Sequence, residues 1–479
     1  MTKTTQPQKE TRLLALDILR GLAIFGMIFS GMVPMGLPRW MHHDQWFDAN
    51  GVLQTLIGLT WVDLVFPFFL FSMGAAIPFA LGRRLDKGSS IPNTVGHVLW
   101  RGVVIMAFAI YLGNAGAWGY GRTPDLGIWL RVIGGFVGLA LFLGRLPFLE
   151  NRPSWVKPAV KGAGLLLIIG LMATLRRADG TGFDQTKCDI IIMVLGIDYI
   201  LASFVWLSSR TSFKLRVALI IGMFAIRFHH LGGGPLYPAI IPWLDYFKMS
   251  FLPNATFHAI VVMCGTLIGD LLRGWSLKKK SDSRMALGLS TGQILGLMLI
   301  LPSFTIAGLC FLQARYVYSG LLFTLSGLLI VHALLRKSDS ELTDLMKELL
   351  QWGAFFLIIG YIIEPFEGGV KKQPSTPAYY FISMGMATTL LMFFTLIVDG
   401  LKKGFWVGFL RVVGSNPMLA YIMGGHLVFP IFHLSGVMKV MGPVADISVA
   451  MGTLWALTLT LASIGVTYLF TRAKIYLRV

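Results

Sequence analysis

The chain has 479 residues, of which 55% are hydrophobic and 13% charged, with a mean hydropathy of +0.70, a composition that excludes an ordinary soluble domain and a disordered chain. The formal charge of +18 would suit nucleic acid if it formed one basic face. Here it is divided among short segments between apolar runs of roughly 20 residues, the length that crosses a bilayer core as helix.

The runs are continuous rather than alternating, so helices rather than a closed barrel would satisfy the backbone in lipid. After a polar tail over 1–12, spans are expected at 14–35, 59–82, 95–116, 126–144, 161–175, 188–207, 216–229, 255–273, 286–312, 316–335, 349–364, 378–399, 413–433 and 448–471. The spans at 161–175 and 216–229 are short and end in TLRR and RFHH; without them the number falls to twelve. With the N-terminus in the cytoplasm, most Lys and Arg, including Arg83–Arg84, Lys278–Lys280 and Lys402–Lys403, fall on the cytoplasmic side, as the positive-inside rule requires. The expectation is an all-α polytopic transmembrane helix bundle of about 12–14 spans. It has one membrane domain over 13–479 and a cytoplasmic tail over 1–12. The largest external segments are then 36–58, 230–254 and 365–377.

Ionisable residues within spans default to functional hypotheses. In LDILRG, Asp17 and Arg20 stand three apart on one helix face and can pair. The alternative is that Arg20, with Arg101 and Arg131, lines a polar cavity for phosphates, which guanidinium meets in a bidentate fork. In the first external segment, HHDQW places His42, His43 and Trp46 beside Asp44 and Asp48, twenty residues before Asp63 in GLTWVDLVFPFFLFSMG. A carboxylate near an imidazole fixes its tautomer and raises its basicity, which a general base needs. On spacing alone the same residues also read as a solvated loop patch.

Further along, His229–His230 precede LGGGPLYP, where Gly232, Gly233 and Gly234 would let backbone approach a ligand and Pro235 and Pro238 would stiffen the turn. Metal binding is not expected, because adjacent histidines share one ion poorly and no carboxylate-rich ligand set surrounds them. EPFEGGVKKQPSTPAYYF puts Glu364, Glu367, Lys371 and Lys372 at an external span mouth; its two carboxylates raise glycoside hydrolysis, without the aromatic subsites that reaction would need. Cys188, Cys264 and Cys310 lack redox or metal spacing.

Taken together, LDILRG, HHDQW and GLTWVDLVFPFFLFSMG resemble the membrane acyltransferases typified by heparan-alpha-glucosaminide N-acetyltransferase and its bacterial relatives. The residues that match are Asp17, Arg20, Gly21, His43, Trp46, Gly58, Thr60, Asp63, Leu64, Val65, Phe66, Pro67, Phe69 and Phe71. Weaker similarities follow in WLRVIG, which supplies Arg131, in GGVKKQPSTPAYYF, which supplies Lys372 and Tyr379, and in VVGSNPMLAYIMGGH at 412–426. The chain departs from the family pattern in the 13 residues from Phe47 to Leu59 that separate Trp46 from Thr60, in Leu130 where the family has glutamine, and in a higher span count.

The resemblance implies a transmembrane acyltransferase type of bundle, with acetyl-CoA as co-substrate reached from the cytoplasm and an amino sugar or glycan acceptor outside. It implies a catalytic histidine in the first external loop, which by motif position is His43, and a bacterial inner membrane as the location. Read beside it from the residues themselves, His43 is a base or acyl relay with Asp63 next to it, Arg20, Arg101 and Arg131 lie toward the donor, and His42, Trp46, His230 and Lys372 lie toward the acceptor. Membrane lipid is the other expected partner, nucleic acid is not expected, and a homodimer stays open beside a monomer. Two rivals are weighed. A family-3-type acyltransferase would carry a histidine inside the first span, where this chain reads FSGMVP. A transporter of a sugar or peptidoglycan fragment would use Arg101, Arg131 and His258 as intramembrane binding groups.

Overall fold

The computed structural model describes residues 14–43, 45–47, 53–55, 57–235, 256–278, 288–405 and 407–477. The protein is an all-α polytopic bundle. Its helices are α1 (Leu14–Ser30), α2 (Trp61–Asp86), α3 (Ile91–Ala115), α4 (Leu126–Leu143), α5 (Val156–Ala173), α6 (Ile190–Ser209), α7 (Phe213–Leu231), α8 (Ala259–Lys278) and α9 (Thr291–Gln313). They continue with α10 (Val317–Leu335), α11 (Glu341–Ile363), α12 (Pro377–Thr395), α13 (Gly408–Ser415), α14 (Pro417–Met423), α15 (Phe429–Leu434), α16 (Val437–Ala445) and α17 (Val449–Arg472).

Among the described residues, 12 helical segments are long and apolar enough to cross a membrane. Each of the fourteen expected spans coincides with helix. The two outside that twelve are α1, with 17 residues, and α7, which carries Lys214, Arg216, Arg227, His229 and His230 in one helix. The expected span at 413–433 is broken: α13 ends at Ser415, and the segment Pro417–Leu434 runs through a π turn at Gly424–Val428 between α14 and α15.

Close backbone contact sets the centre of the bundle. A Cβ on Gly74 of α2 would overlap the Val262 carbonyl oxygen of α8, and one on Gly265 would stand 2.5 Å from the Phe71 carbonyl oxygen. These glycines let α2 and α8 approach backbone to backbone, as small residues do in membrane helix pairs. Gly82 meets Arg273 further along, so α8 runs parallel to α2. By contrast α1 is antiparallel to α2, since Arg20 reaches the Ser72 carbonyl while Phe29 stacks on Trp61 with centroids 6.0 Å apart. α12 is the most buried of the apolar segments and α5 the least.

As a result, one end of the bundle gathers the end of α1, the starts of α2, α8 and α12, and the ends of α7 and α11. The segment after α1 holds a two-stranded hairpin, β1 (Gln45–Phe47) paired antiparallel with β2 (Leu53–Thr55) in the register Gln45↔Thr55 and Phe47↔Leu53. Within the stretch from Phe47 to Leu59, Phe47 ends β1 and Leu53–Thr55 form β2.

Candidate functional site

At that end, Thr60 precedes α2 and Asp63 is its third residue. TWVD spells the start signal of a helix, a hydroxyl residue followed three positions later by an acid. Asp63 Oδ2 accepts from the Thr60 backbone N–H at 3.1 Å and from Thr60 Oγ1 at 3.0 Å. Its charge also lies on the favourable, positive end of the helix dipole. The carboxylate is fully buried, and Oδ1 faces the loop, where His43 Nδ1 lies 3.1 Å away. Lys372 Nζ stands 3.4 Å from the same oxygen and 3.0 Å from His43 Nδ1. The side chain of His43 is 47% exposed and that of Lys372 is 21% exposed, so the cluster opens outward through the imidazole.

The turn bearing Lys372 is held from several sides. Gly58 N–H donates to the Val370 carbonyl at 3.0 Å, and Val370 N–H donates to Glu364 Oε1 at 3.0 Å. Glu364 is buried and paired with Arg315. Tyr379 OH donates to the Asp63 carbonyl at 2.8 Å, tying α12 to α2. Ser375 Oγ donates to the Lys372 carbonyl at 2.7 Å and lies 3.4 Å from His258 Nε2. Fully buried Arg227 donates to the Ser375 carbonyl from Nε at 3.0 Å and lies over the Phe257 ring at 4.7 Å. Burial pushes the Lys372 ammonium below the usual lysine range, and Asp63 works in the opposite direction.

The expected site residues therefore divide into groups. His43, Asp63 and Lys372 meet. His42 sits beside them at the end of a short turn, its N–H donating to the Arg39 carbonyl at 3.0 Å and its Nε2 buried without a hydrogen-bond partner among the described residues. Trp46 lies in β1; its side chain, Asp44, Asp48 and Pro238 fall outside the described residues. His230 stacks on Phe257 with centroids 5.5 Å apart, next in sequence to His258. Glu364 and Glu367 do not form a hydrolytic pair: Glu364 is occupied by Arg315, and Glu367 Oε2 accepts from the Ala378 N–H at 3.0 Å as an N-terminal anchor of α12.

Deeper in the bundle, Arg20 and Arg101 line one cavity of about 140 Å³ with Phe69, Met73, Tyr199 and Met418. Arg20 pairs with Asp17 at 3.7 Å and donates to the Ser72 carbonyl at 3.0 Å, while Arg101 lies over the Tyr199 ring at 5.2 Å. Counting at about 1.5 Å per residue, Ser72 lies about 14 Å along α2 from Asp63. Arg131 does not join them. Its guanidinium is committed to the Leu171 carbonyl at 2.7 Å and Thr174 Oγ1 at 2.8 Å, where it caps the C-terminal end of α5.

Arg227 and Ser375 have no place in the sequence-based expectations, where Thr60 enters only as a motif match and His258 only as a group of the rival transporter. TWVD carried the signal for Thr60, and a charged residue in a short span carried the one for Arg227; the Ser375–His258 contact joins residues 117 apart and has no local mark. Among the described residues no cluster of His, Cys, Asp and Glu could hold a metal ion.

Comparison with known proteins adds two kinds of finding. The family described as Domain of unknown function (DUF5009) matches residues 12–272, more than half of the chain. The chain is also similar to heparan-alpha-glucosaminide N-acetyltransferase of Mus musculus, 30% identical over 110 residues, and to that of Homo sapiens, 31% identical over 103 residues. These matches cover 23% and 22% of this chain and only 15% and 14% of the relatives' own length.

Proposed function

The chain belongs to the DUF5009 family, and we propose that it is an integral membrane acyltransferase. In this reading it moves an acetyl group from cytoplasmic acetyl-CoA to an amino sugar or glycan on the outer face of a bacterial inner membrane, with its N-terminus inside. The observation that carries the reading is the contact of His43 with Asp63 and Lys372 at one mouth of α2, with the Arg20 and Arg101 cavity further along the same helix. The partial similarity to an N-acetyltransferase supports the same chemistry.

A thioester already carries a good leaving group, so the enzyme chiefly positions the acceptor, takes its proton and stabilises an oxyanion. The acceptor nitrogen or oxygen forms a bond to the thioester carbon and the carbon–sulfur bond breaks. The acceptor proton goes to His43 Nε2, and the CoA thiolate takes a proton in turn. If the imidazole is acylated first, the same bonds form and break in two steps. Arg20 and Arg101 would meet the phosphates of the donor, while His42, Trp46 and His230 would face the acceptor. Arg131 is assigned to holding α4 against α5.

The test is acceptor-dependent release of CoA by purified protein in nanodiscs. Release that rises with acceptor and disappears in His43→Ala supports transfer. Stable binding of acetyl-CoA without acyl release would favour carriage and reject the reading.

A further inference from the structure

Three groups compete for one proton position. His43 Nδ1 lies 3.1 Å from Asp63 Oδ1 and 3.0 Å from Lys372 Nζ, and the last two are 3.4 Å apart. Nδ1 can carry a hydrogen and donate it to the carboxylate, or present a lone pair and accept from the ammonium, but it cannot do both. The choice fixes the opposite nitrogen of the ring. With hydrogen on Nδ1, Nε2 has the lone pair that takes a proton from an acceptor. With Lys372 donating to Nδ1, Nε2 carries the hydrogen and the ring is idle as a base.

An ammonium has three donors and satisfies Oδ1 and Nδ1 together. A hydrogen on Nδ1 would instead confront it at 3.0 Å. We infer that Lys372 is a positioning residue that sets the tautomer of His43, holding it in the Nε2–H form while the lysine is an ammonium and releasing it to the Nδ1–H form when it is not. In the release, Lys372 passes its proton to Nδ1 and Nε2 gives its own to solvent, so one proton leaves overall. The inference rests on the reading of His43 as the catalytic base.

The groups that face the cluster are Asp63 from α2, Tyr379 from α12 through the Asp63 carbonyl, and His258 and Arg227 through Ser375. Arg315 and Glu364 lie at the root of the turn, with Lys371 beside Lys372. Burial disfavours the Lys372 ammonium and Asp63 favours it, which places the switch within reach of a change in pH or of a ligand that draws the lysine aside.

Solid-state NMR of full-length, ¹⁵N-histidine-labelled protein in liposomes tests this, with the His43 signals identified by their loss in His43→Gln. At a pH where the ring is neutral, the wild type should carry hydrogen on Nε2, Lys372→Met should move it to Nδ1, and Lys372→Arg should return it to Nε2. Hydrogen on Nδ1 in the wild type, or no change in Lys372→Met, would overturn the proposal. If Lys372→Met does not fold, raising the pH of the wild type should itself convert Nε2–H to Nδ1–H, and an unchanged tautomer up to the ordinary lysine value of about 10.4 would overturn it. Parallel turnover assays separate the two claims. A normal rate in His43→Ala with a Lys372-dependent tautomer would remove the base assignment and leave the tautomer control standing.

Discussion

Replacing Asp63 by asparagine keeps the shape of the side chain and removes its charge. The carboxylate accepts from Thr60 N–H and Oγ1 through one oxygen and meets His43 and Lys372 through the other. An amide has one oxygen for both tasks. If that oxygen stays on Thr60, the amide NH₂ faces His43 Nδ1 and the lysine ammonium. The ring then accepts at Nδ1 and cannot reach the Nδ1–H form even when Lys372 is released, so Nε2 keeps its hydrogen where a base needs a lone pair. General-base assistance contributes about 10²–10⁴ in rate, so Asp63→Asn should lower turnover by roughly that factor. Stability should fall as well, because a hydrogen bond to a charged group contributes about 1.5–3 kcal/mol and the start of α2 loses part of its cap, at about 0.5–2 kcal/mol. Together these give a loss of roughly 2–5 kcal/mol. CoA release in nanodiscs measures the first effect, and thermal unfolding followed by tryptophan fluorescence measures the second. A variant that unfolds like the wild type and turns over within about threefold of it would refute the reasoning.

Arg20→Gln and Arg101→Gln should each raise the KM for acetyl-CoA by roughly 10-fold or more, the worth of one charge-assisted hydrogen bond. Arg131→Gln should leave that KM unchanged and lower stability by about 1–3 kcal/mol, through the released Leu171 carbonyl. Gly74→Leu should abolish the α2–α8 contact, at a cost above the usual 1–3 kcal/mol of overpacking, read as loss of monodisperse protein in detergent. For Lys372 the sign follows from its depressed folded value. Below that value the fold carries the penalty of a buried ammonium, and the unfolded chain binds more protons from there up to about pH 10.4. Stability therefore rises with pH across that window, and Lys372→Met should flatten the rise in a pH series of thermal melts.

The helical architecture was legible because apolar length is a strong signal in lipid. Even α5 and α7, the shortest expectations, are helices of 18 and 19 residues. The break between α13 and α14 was less visible, since Asn416 and Pro417 interrupt a run whose hydropathy continues across them. At the site, His43 and Asp63 could be placed near one another by topology. The hairpin that closes their separation is short and lies among polar residues, so no periodicity announced it. Lys372 entered through a motif, and its distance to His43 came only from the way the 364–376 turn docks on Gly58 and Asp63. Arg131 was grouped with Arg20 and Arg101 because all three are arginines within spans. Sequence cannot tell a guanidinium that lines a cavity from one that satisfies the end of a neighbouring helix.

Acetyl transfer from acetyl-CoA to a panel of amino sugars and glycans, by purified wild type and His43→Ala side by side in nanodiscs, tests the central claim most directly. The account predicts CoA release that depends on acceptor in the wild type and falls by about 10²–10⁴ in the variant. Equal release by the two proteins, or acetyl-CoA bound without acyl release across the whole panel, would contradict it.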